Sequence, residues 1–407
     1  MSINGWKEVK LEEVGTVVTG KTPSSKTPDH FGDVIPFVTP TDFKNYHKQI
    51  FSADRYLSQK GKDGLKGKVL PDNSVVVTCI GSDMGKVALN SVECVTNQQI
   101  NSIIINKEKV DANFLYYKIS NMYEYIKQLA RGGTTMPIVN KGTFEQINIE
   151  LPSLIEQKAI ANTLLCLDDK IELNNRINKN LEEMAQALFK SWFIDFEPFQ
   201  DSEFKDSELG RIPKGWRVES LGNIADYLNG LAMQKFRTET DEFLPVIKIK
   251  ELNQGFIDES SDKASVNIPK QYIINDGDVI FSWSGTLMVK IWTGGKGGLN
   301  QHLFKVTSRN YDKWFYYLWT LKHLEKFKAI AQDKATTMGH IKRSHIKESK
   351  VIIPSDLDMK VLSNLMNPII EKIIELCIQN QTLKVIRNSL LPKLMSGEIR
   401  VPLEEVQ

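Results

Sequence analysis

Two stretches of the chain carry an unbroken 4-3 alternation of seam positions. The first runs Ile160, Leu164, Leu167, Ile171, Asn174, Asn178, Leu181, Ala185, Leu188, Trp192. The second runs Leu362, Met366, Ile369, Ile373, Leu376, Asn380, Leu383, Arg387, Leu390, Leu394. Such spacing, sustained over several heptads, predicts coiled-coil helices rather than ordinary amphipathic ones. Each stretch opens just after a proline with a capping box, Ser153 with Glu156 and Ser355 with Asp358. About 40 residues at ~1.5 Å each would span about 60 Å. Asn178 and Asn380 occupy the same register of the two seams. A buried Asn costs stability but fixes register and orientation. The expected arrangement is therefore an antiparallel pair with both Asn near its middle. The competing expectation packs each helix on its own globular part.

Outside the helices the period changes. Short β-like runs at 34–38, 74–80 and 102–105 are separated by Gly, Pro, Asn and Asp, and similar runs recur at 246–249, 278–283 and 303–306. A helix with an aromatic face is predicted over 113–130 and again over 313–331. One more strand follows, at 146–151 and 350–353. Particular residues recur in the same order. Gly5-Trp6 returns as Gly215-Trp216, Asn97-Gln98-Gln99 as Asn300-Gln301-His302, and Thr134-Thr135-Met136 as Thr336-Thr337-Met338. The chain is thus two copies of one unit of about 200 residues. The acidic stretch between them, ending in Pro213-Lys214, reads as a linker.

Composition narrows the chemistry. The 407 residues include 52 basic and 50 acidic side chains, so any nucleic-acid contact must use local charge. No apolar run approaches the ~18 residues of a membrane helix. The start of the chain lacks the layout of a signal peptide. Cys79, Cys94, Cys166 and Cys377 show no paired spacing and read as reduced thiols of a cytoplasmic protein. Gly15 to Thr22 fits the P-loop pattern, but Pro23 and Pro28 follow where a phosphate-holding helix should begin. Nucleotide binding at Lys21 is accordingly the weakest of the function readings. No catalytic or metal-ligating constellation stands out among the carboxylates, cysteines and histidines.

Two basic loops after the aromatic helices form the binding pattern. The first contains Arg131, Gly132, Gly133, Thr134, Thr135 and Lys141; the second contains Lys334, Thr336, Thr337, His340, Lys342 and Arg343. Gly and Thr let a backbone approach phosphate, and the cations neutralise it. A solvated loop that happens to be basic is the plain alternative. The turns Asn97-Gln98-Gln99 and Asn300-Gln301-His302 either read bases or hold strands together.

Leu151-Pro152-Ser153-Leu154-Ile155-Glu156-Gln157 resembles the start of the first spacer helix of type I restriction-modification specificity subunits. Ala187-Leu188-Phe189-Lys190-Ser191-Trp192-Phe193 resembles its end, and Leu390-Leu391-Pro392-Lys393-Leu394-Met395-Ser396-Gly397 resembles the end of the second. The second helix begins with Asp358-Met359 where that family usually has Glu-Gln. The resemblance implies an α+β chain: two globular α/β target recognition domains joined by two long helices in an antiparallel coiled coil, a pseudo-twofold internal repeat. Its divisions would be recognition domains at 1–152 and 213–354, spacer helices at 153–196 and 355–399, a linker at 197–212 and a tail at 400–407. It further implies a non-catalytic subunit without a cofactor or membrane contact of its own. Each recognition domain would bind half of a bipartite site in double-stranded DNA. Two modification subunits would bring S-adenosylmethionine and adenine methylation, and restriction (motor-nuclease) subunits would bring ATP and Mg2+. A coiled-coil adaptor without DNA readout is the remaining alternative.

Overall fold

The computed structural model describes residues 5–24, 26–44, 48–81, 84–130, 137–333 and 339–402. The chain divides into two units, one formed by Met1–Asp169 with Val385–Gln407 and the other by Lys170–Lys384. The division runs through both long helices, Leu154–Phe193 and Asp356–Met395, each of 40 residues.

In the first unit the opening and closing strands pair antiparallel, Lys7–Lys10 against Asn148–Leu151. One five-stranded sheet has the order Gly15–Thr19, Ile100–Ile105, Val75–Thr78, Val87–Asn90, Gln49–Ile50. A second has the order Phe31–Gly32, Tyr56–Leu57, Ile35–Val38, Cys94–Thr96, Val69–Leu70. The run Val75-Val76-Val77 is apolar throughout because both of its faces are covered. Val75 and Val77 join the main core with Phe114, Leu164 and Leu394, whereas Val76 packs between the sheets with Val38, Leu70 and Cys94.

The second unit repeats the plan. Arg217–Ser220 pairs antiparallel with Lys350–Ile353. One four-stranded sheet runs Asp226–Asn229, Leu303–Thr307, Val279–Ser282, Met288–Ile291, and the other Lys263–Ser265, Phe243–Ile247, Gly297–Leu299, Ile273–Ile274. Phe281 faces the main core and Ile280 the smaller one. The stretch read as a linker is structured. Phe204–Ser207 and Gly210–Pro213 form a hairpin, and Phe196 and Phe199 stand edge-on to the Trp216 ring. Aromatic residues that a solvated linker would not need thus extend the core.

Each aromatic helix is broken, contrary to the sequence expectation. Ala112–Asn121 is followed by Tyr123–Leu129, and Lys313–Lys322 by Leu324–Asp333. Neither break contains Gly or Pro. Shortly before each, a hydroxyl donates to the carbonyl four residues back, Ser120 to Tyr116 and Thr320 to Tyr316, at 2.7 and 2.6 Å. Such back-bonding competes with the helical ladder and bends it.

Each unit contains segments of both long helices, so neither helix packs solely on its own half of the sequence. In the first unit, Ile160 and Leu164 share a core with Leu394 and Met395. Arg387 there donates to Asp168 at 2.8 Å, and the Tyr117 hydroxyl donates to the same carboxylate. In the second unit, Phe189, Trp192 and Phe193 share a core with Leu362, Met366 and Trp314. Facing residues run in opposite senses: Asn174 meets Asn380, and Asn178 meets Cys377. This pairing is antiparallel, and Asn178 and Asn380 both lie near its middle. The repeat-equivalent Asn178 and Asn380 do not face each other. Equivalent residues of an antiparallel pair meet only at its centre, and these two lie roughly half a helical turn off it.

Helix starts are tethered alike in both units. Trp6 donates its indole N–H to Glu156, and Trp216 donates its own to Asp358. The Asp358 substitution therefore preserves the tether. The neighbouring position differs: buried Gln157 bonds the backbone at Lys109, Asp111 and Pro152, whereas Met359 packs among apolar side chains. Lys118 closes the far end of the second helix by donating to the carbonyl of Met395 at 2.8 Å, and burial lowers its pKa.

Candidate nucleic-acid interface

In each unit the candidate site is built on the end of a central strand. In the first unit the chain returns from the basic loop as Pro137 to Asn140. Val139 N–H bonds the Cys79 carbonyl at 2.9 Å, Gly81 N–H bonds the Pro137 carbonyl at 3.2 Å, and Ile80 bridges Ile138. In the second unit Ile341 N–H bonds the Trp283 carbonyl, Gly285 N–H bonds the Gly339 carbonyl, both at 3.1 Å, and Ser284 bridges His340. The two zippers have the same pattern at equivalent positions. Each fixes the foot of a basic loop to the strand end.

The Asn-Gln turns lie beside these zippers. Cys79 N–H bonds the Gln99 carbonyl at 2.8 Å, and Trp283 N–H bonds the His302 carbonyl at 3.4 Å. A glycine backs each turn: a Cβ on Gly20 would sit 2.2 Å from the Asn97 carbonyl oxygen, and one on Gly230 would sit 2.1 Å from that of Asn300. Only Gly permits such approach. Within the turns the roles divide. Asn97 and Asn300 are buried, and their side-chain oxygens accept the N–H of Gln99 and His302 respectively. They hold the turn. Gln98 is exposed and Gln301 half-buried.

Side chains differ between the units although the backbone does not. Cys79, Ile80 and Ile138 in the first unit correspond to Trp283, Ser284 and His340 in the second. The Trp283 ring lies 6.1 Å from that of His302 and 6.3 Å from that of His340, and its N–H bonds Asn229. The Cys79 thiol is pushed up to about 12 by burial, which keeps it protonated and unreactive. Motif spacing alone does not single out Trp283 or Ser284; their signal is divergence inside an otherwise matching repeat.

Among the predicted contacts, His340, Lys342 and Arg343 are exposed where the second loop returns. The Arg343 guanidinium stands 5.9 Å from the Phe304 ring centroid. Lys141 is exposed and pairs with Glu145 at 3.3 Å. Arg131, Gly132, Gly133, Thr134, Thr135, Lys334, Thr336 and Thr337 lie outside the described residues. The P-loop look-alike is a strand, Gly15–Thr19, followed by irregular chain over residues 20–24, so no helix begins at Lys21. No group of three or more potential metal ligands occurs among the described residues. No described helix is long and apolar enough to cross a membrane. A cavity of about 430 Å³ in the second unit is lined by residues that include Glu182, Lys290, Tyr317 and Cys377 and by none of the turn or zipper residues.

A family model described as the type I restriction modification DNA specificity domain matches residues 3–183 and 213–379. The chain is 34% identical over 409 residues to the MjaIX type I restriction enzyme specificity subunit of Methanocaldococcus jannaschii, covering 97% of this chain and 94% of that one. It is 23% identical over 470 residues to the HindI specificity subunit of Haemophilus influenzae, covering 98% and 100%. A crystal structure of the type I restriction-modification S subunit from M. genitalium shares the fold, with a TM-score of 0.62 at 16% identity over 97% of each chain.

Proposed function

Since the chain belongs to the type I restriction-modification specificity family and is a non-catalytic specificity subunit with two recognition domains, we propose that each unit binds one half of a bipartite site in double-stranded DNA. The turn and zipper of each unit would face the bases, and the basic loops would neutralise phosphates. The observation that carries this reading is the identical backbone zipper in both units with different side chains mounted on it. One scaffold with two sets of side chains is what two distinct half-sites require.

The long helices are the proposed seats for two modification subunits. Leu357, Val361 and Leu365 are four residues apart on one helical face and 74%, 54% and 52% exposed. Such an apolar stripe favours a helical partner. S-adenosylmethionine would act on those partners, and ATP with Mg2+ on restriction subunits, in the cytoplasm. A duplex-binding titration of the full chain with its modification subunits, repeated at several salt concentrations, tests the reading. Affinity should fall steeply with salt. Absence of duplex binding at low salt overturns it.

A further inference from the structure

Gln98 and Gln301 occupy equivalent places in the two turns, yet they are tethered by opposite ends. In the first unit the Thr22 hydroxyl donates to Gln98 Oε1 at 2.5 Å. That leaves the two N–H donors of the amide without a partner among the described residues. In the second unit Gln301 Nε2 lies 3.3 Å from His302 Nε2, and His302 Nδ1 lies 3.1 Å from Ser284 Oγ. An amide nitrogen only donates, so the ring Nε2 accepts and the ring proton sits on Nδ1, donated to Ser284. Gln301 is left with its carbonyl oxygen and one N–H.

Resting on the DNA-binding reading above, we infer that Gln98 and Gln301 are base-specifying residues and that their opposite tethers make them select different bases. Gln301 presents one acceptor and one donor. That pair matches the N6 amino group and N7 of adenine in the major groove. Thr22 holds the carbonyl end of Gln98 and takes up one of its two lone pairs, so Gln98 offers chiefly its two N–H donors, which match the O6 and N7 acceptors of guanine. His302 and Ser284 are positioning residues: they act through Gln301 by choosing which end of its amide faces outward. The first unit has Gln99 and Ile80 at those places and relies on Thr22 instead.

The test uses the full chain assembled with its modification subunits and a randomised duplex library, scoring base enrichment at each position. The wild type should select a bipartite motif with one adenine in one half and one guanine in the other, each assigned by the variants. Gln301→Glu removes the donor. It should erase the adenine preference at one position, by roughly tenfold to a hundredfold, while the other half stays unchanged. Gln98→Glu should do the same to the guanine of the other half. His302→Phe should weaken the adenine preference at the Gln301 position alone, which a merely structural role would not do. If Gln301→Glu abolishes selection in both halves, Gln301→Ala replaces it with the same expectation. A wild-type motif that survives these substitutions at every position overturns the inference and leaves the DNA-binding reading intact. A wild-type complex that selects no motif overturns that reading itself.

Discussion

The polar layer of the helix pair can be tested by replacing it. Asn380 is 5% exposed and Asn174 fully buried. The Asn174 amide donates to Gln379 at 2.7 Å and to Asn380 at 2.9 Å, and Asn380 donates to Asn175 at 2.8 Å. The side-chain oxygen of Asn174 is buried without a partner. Asn380→Leu would strand one N–H of a buried amide, costing about 1–3 kcal/mol. Burial of the new side chain would return about 1.5–3 kcal/mol. The single variant should therefore melt close to wild type. Asn174→Leu with Asn380→Leu removes the stranded amide and should stabilise by roughly 1–4 kcal/mol. For a unit of about 200 residues that raises the melting temperature by ~2–4 °C per kcal/mol. Calorimetry of the full chain, following the transition of the second unit, measures both. A double variant that melts below wild type would refute the reasoning, because the layer would then be a net stabiliser rather than a register device.

Other outcomes follow from single residues. Gly230→Ala drives a Cβ into the Asn300 carbonyl; it should cost roughly 1–3 kcal/mol and blur selection in one half-site, read in the same library assay. His323 is held below its ordinary pKa mainly by burial, with its ring nitrogen bonded to the Lys350 carbonyl at 2.9 Å. The unfolded chain then binds the proton more readily, so stability should fall as pH drops below about 6.5; a melting series from about pH 7.5 to about pH 5 checks this, and His323→Gln should flatten it. Cys166 is exposed, whereas Cys79 and Cys94 are buried with thiols pushed up to about 12. Alkylation of the native chain at about pH 8, followed by peptide mapping, should modify Cys166 first and leave those two intact.

Much of the fold is legible because its signals are periodic. The 4-3 seam needs no tertiary knowledge, and its positions Ile160, Ile171, Met366 and Leu376 are all buried, Ile160 and Met366 within the two cores. The repeat is legible because the same residues recur in order. Other features depend on three-dimensional pairing. Asn178 and Asn380 share a register in sequence, but the antiparallel geometry gives Asn380 to Asn174. The breaks near Met122 and His323 carry no Gly or Pro and arise from side-chain bonds of Ser120 and Thr320. The acidic linker conceals a hairpin because charge hides the aromatic residues that dock it. In the turns, Asn and Gln look alike in sequence; burial separates Asn97 and Asn300, which hold the turn, from Gln98 and Gln301, which are more open to solvent.

The proposed function requires one reader per half-site. Mapping methylated positions in DNA from cells carrying the assembled system tests it most directly, comparing the wild-type chain with one carrying Trp283→Ala and His340→Ala. The expected result is a two-part motif separated by unspecified bases, with only one part altered in the variant. A single uninterrupted motif, or a change in both parts at once, would contradict it.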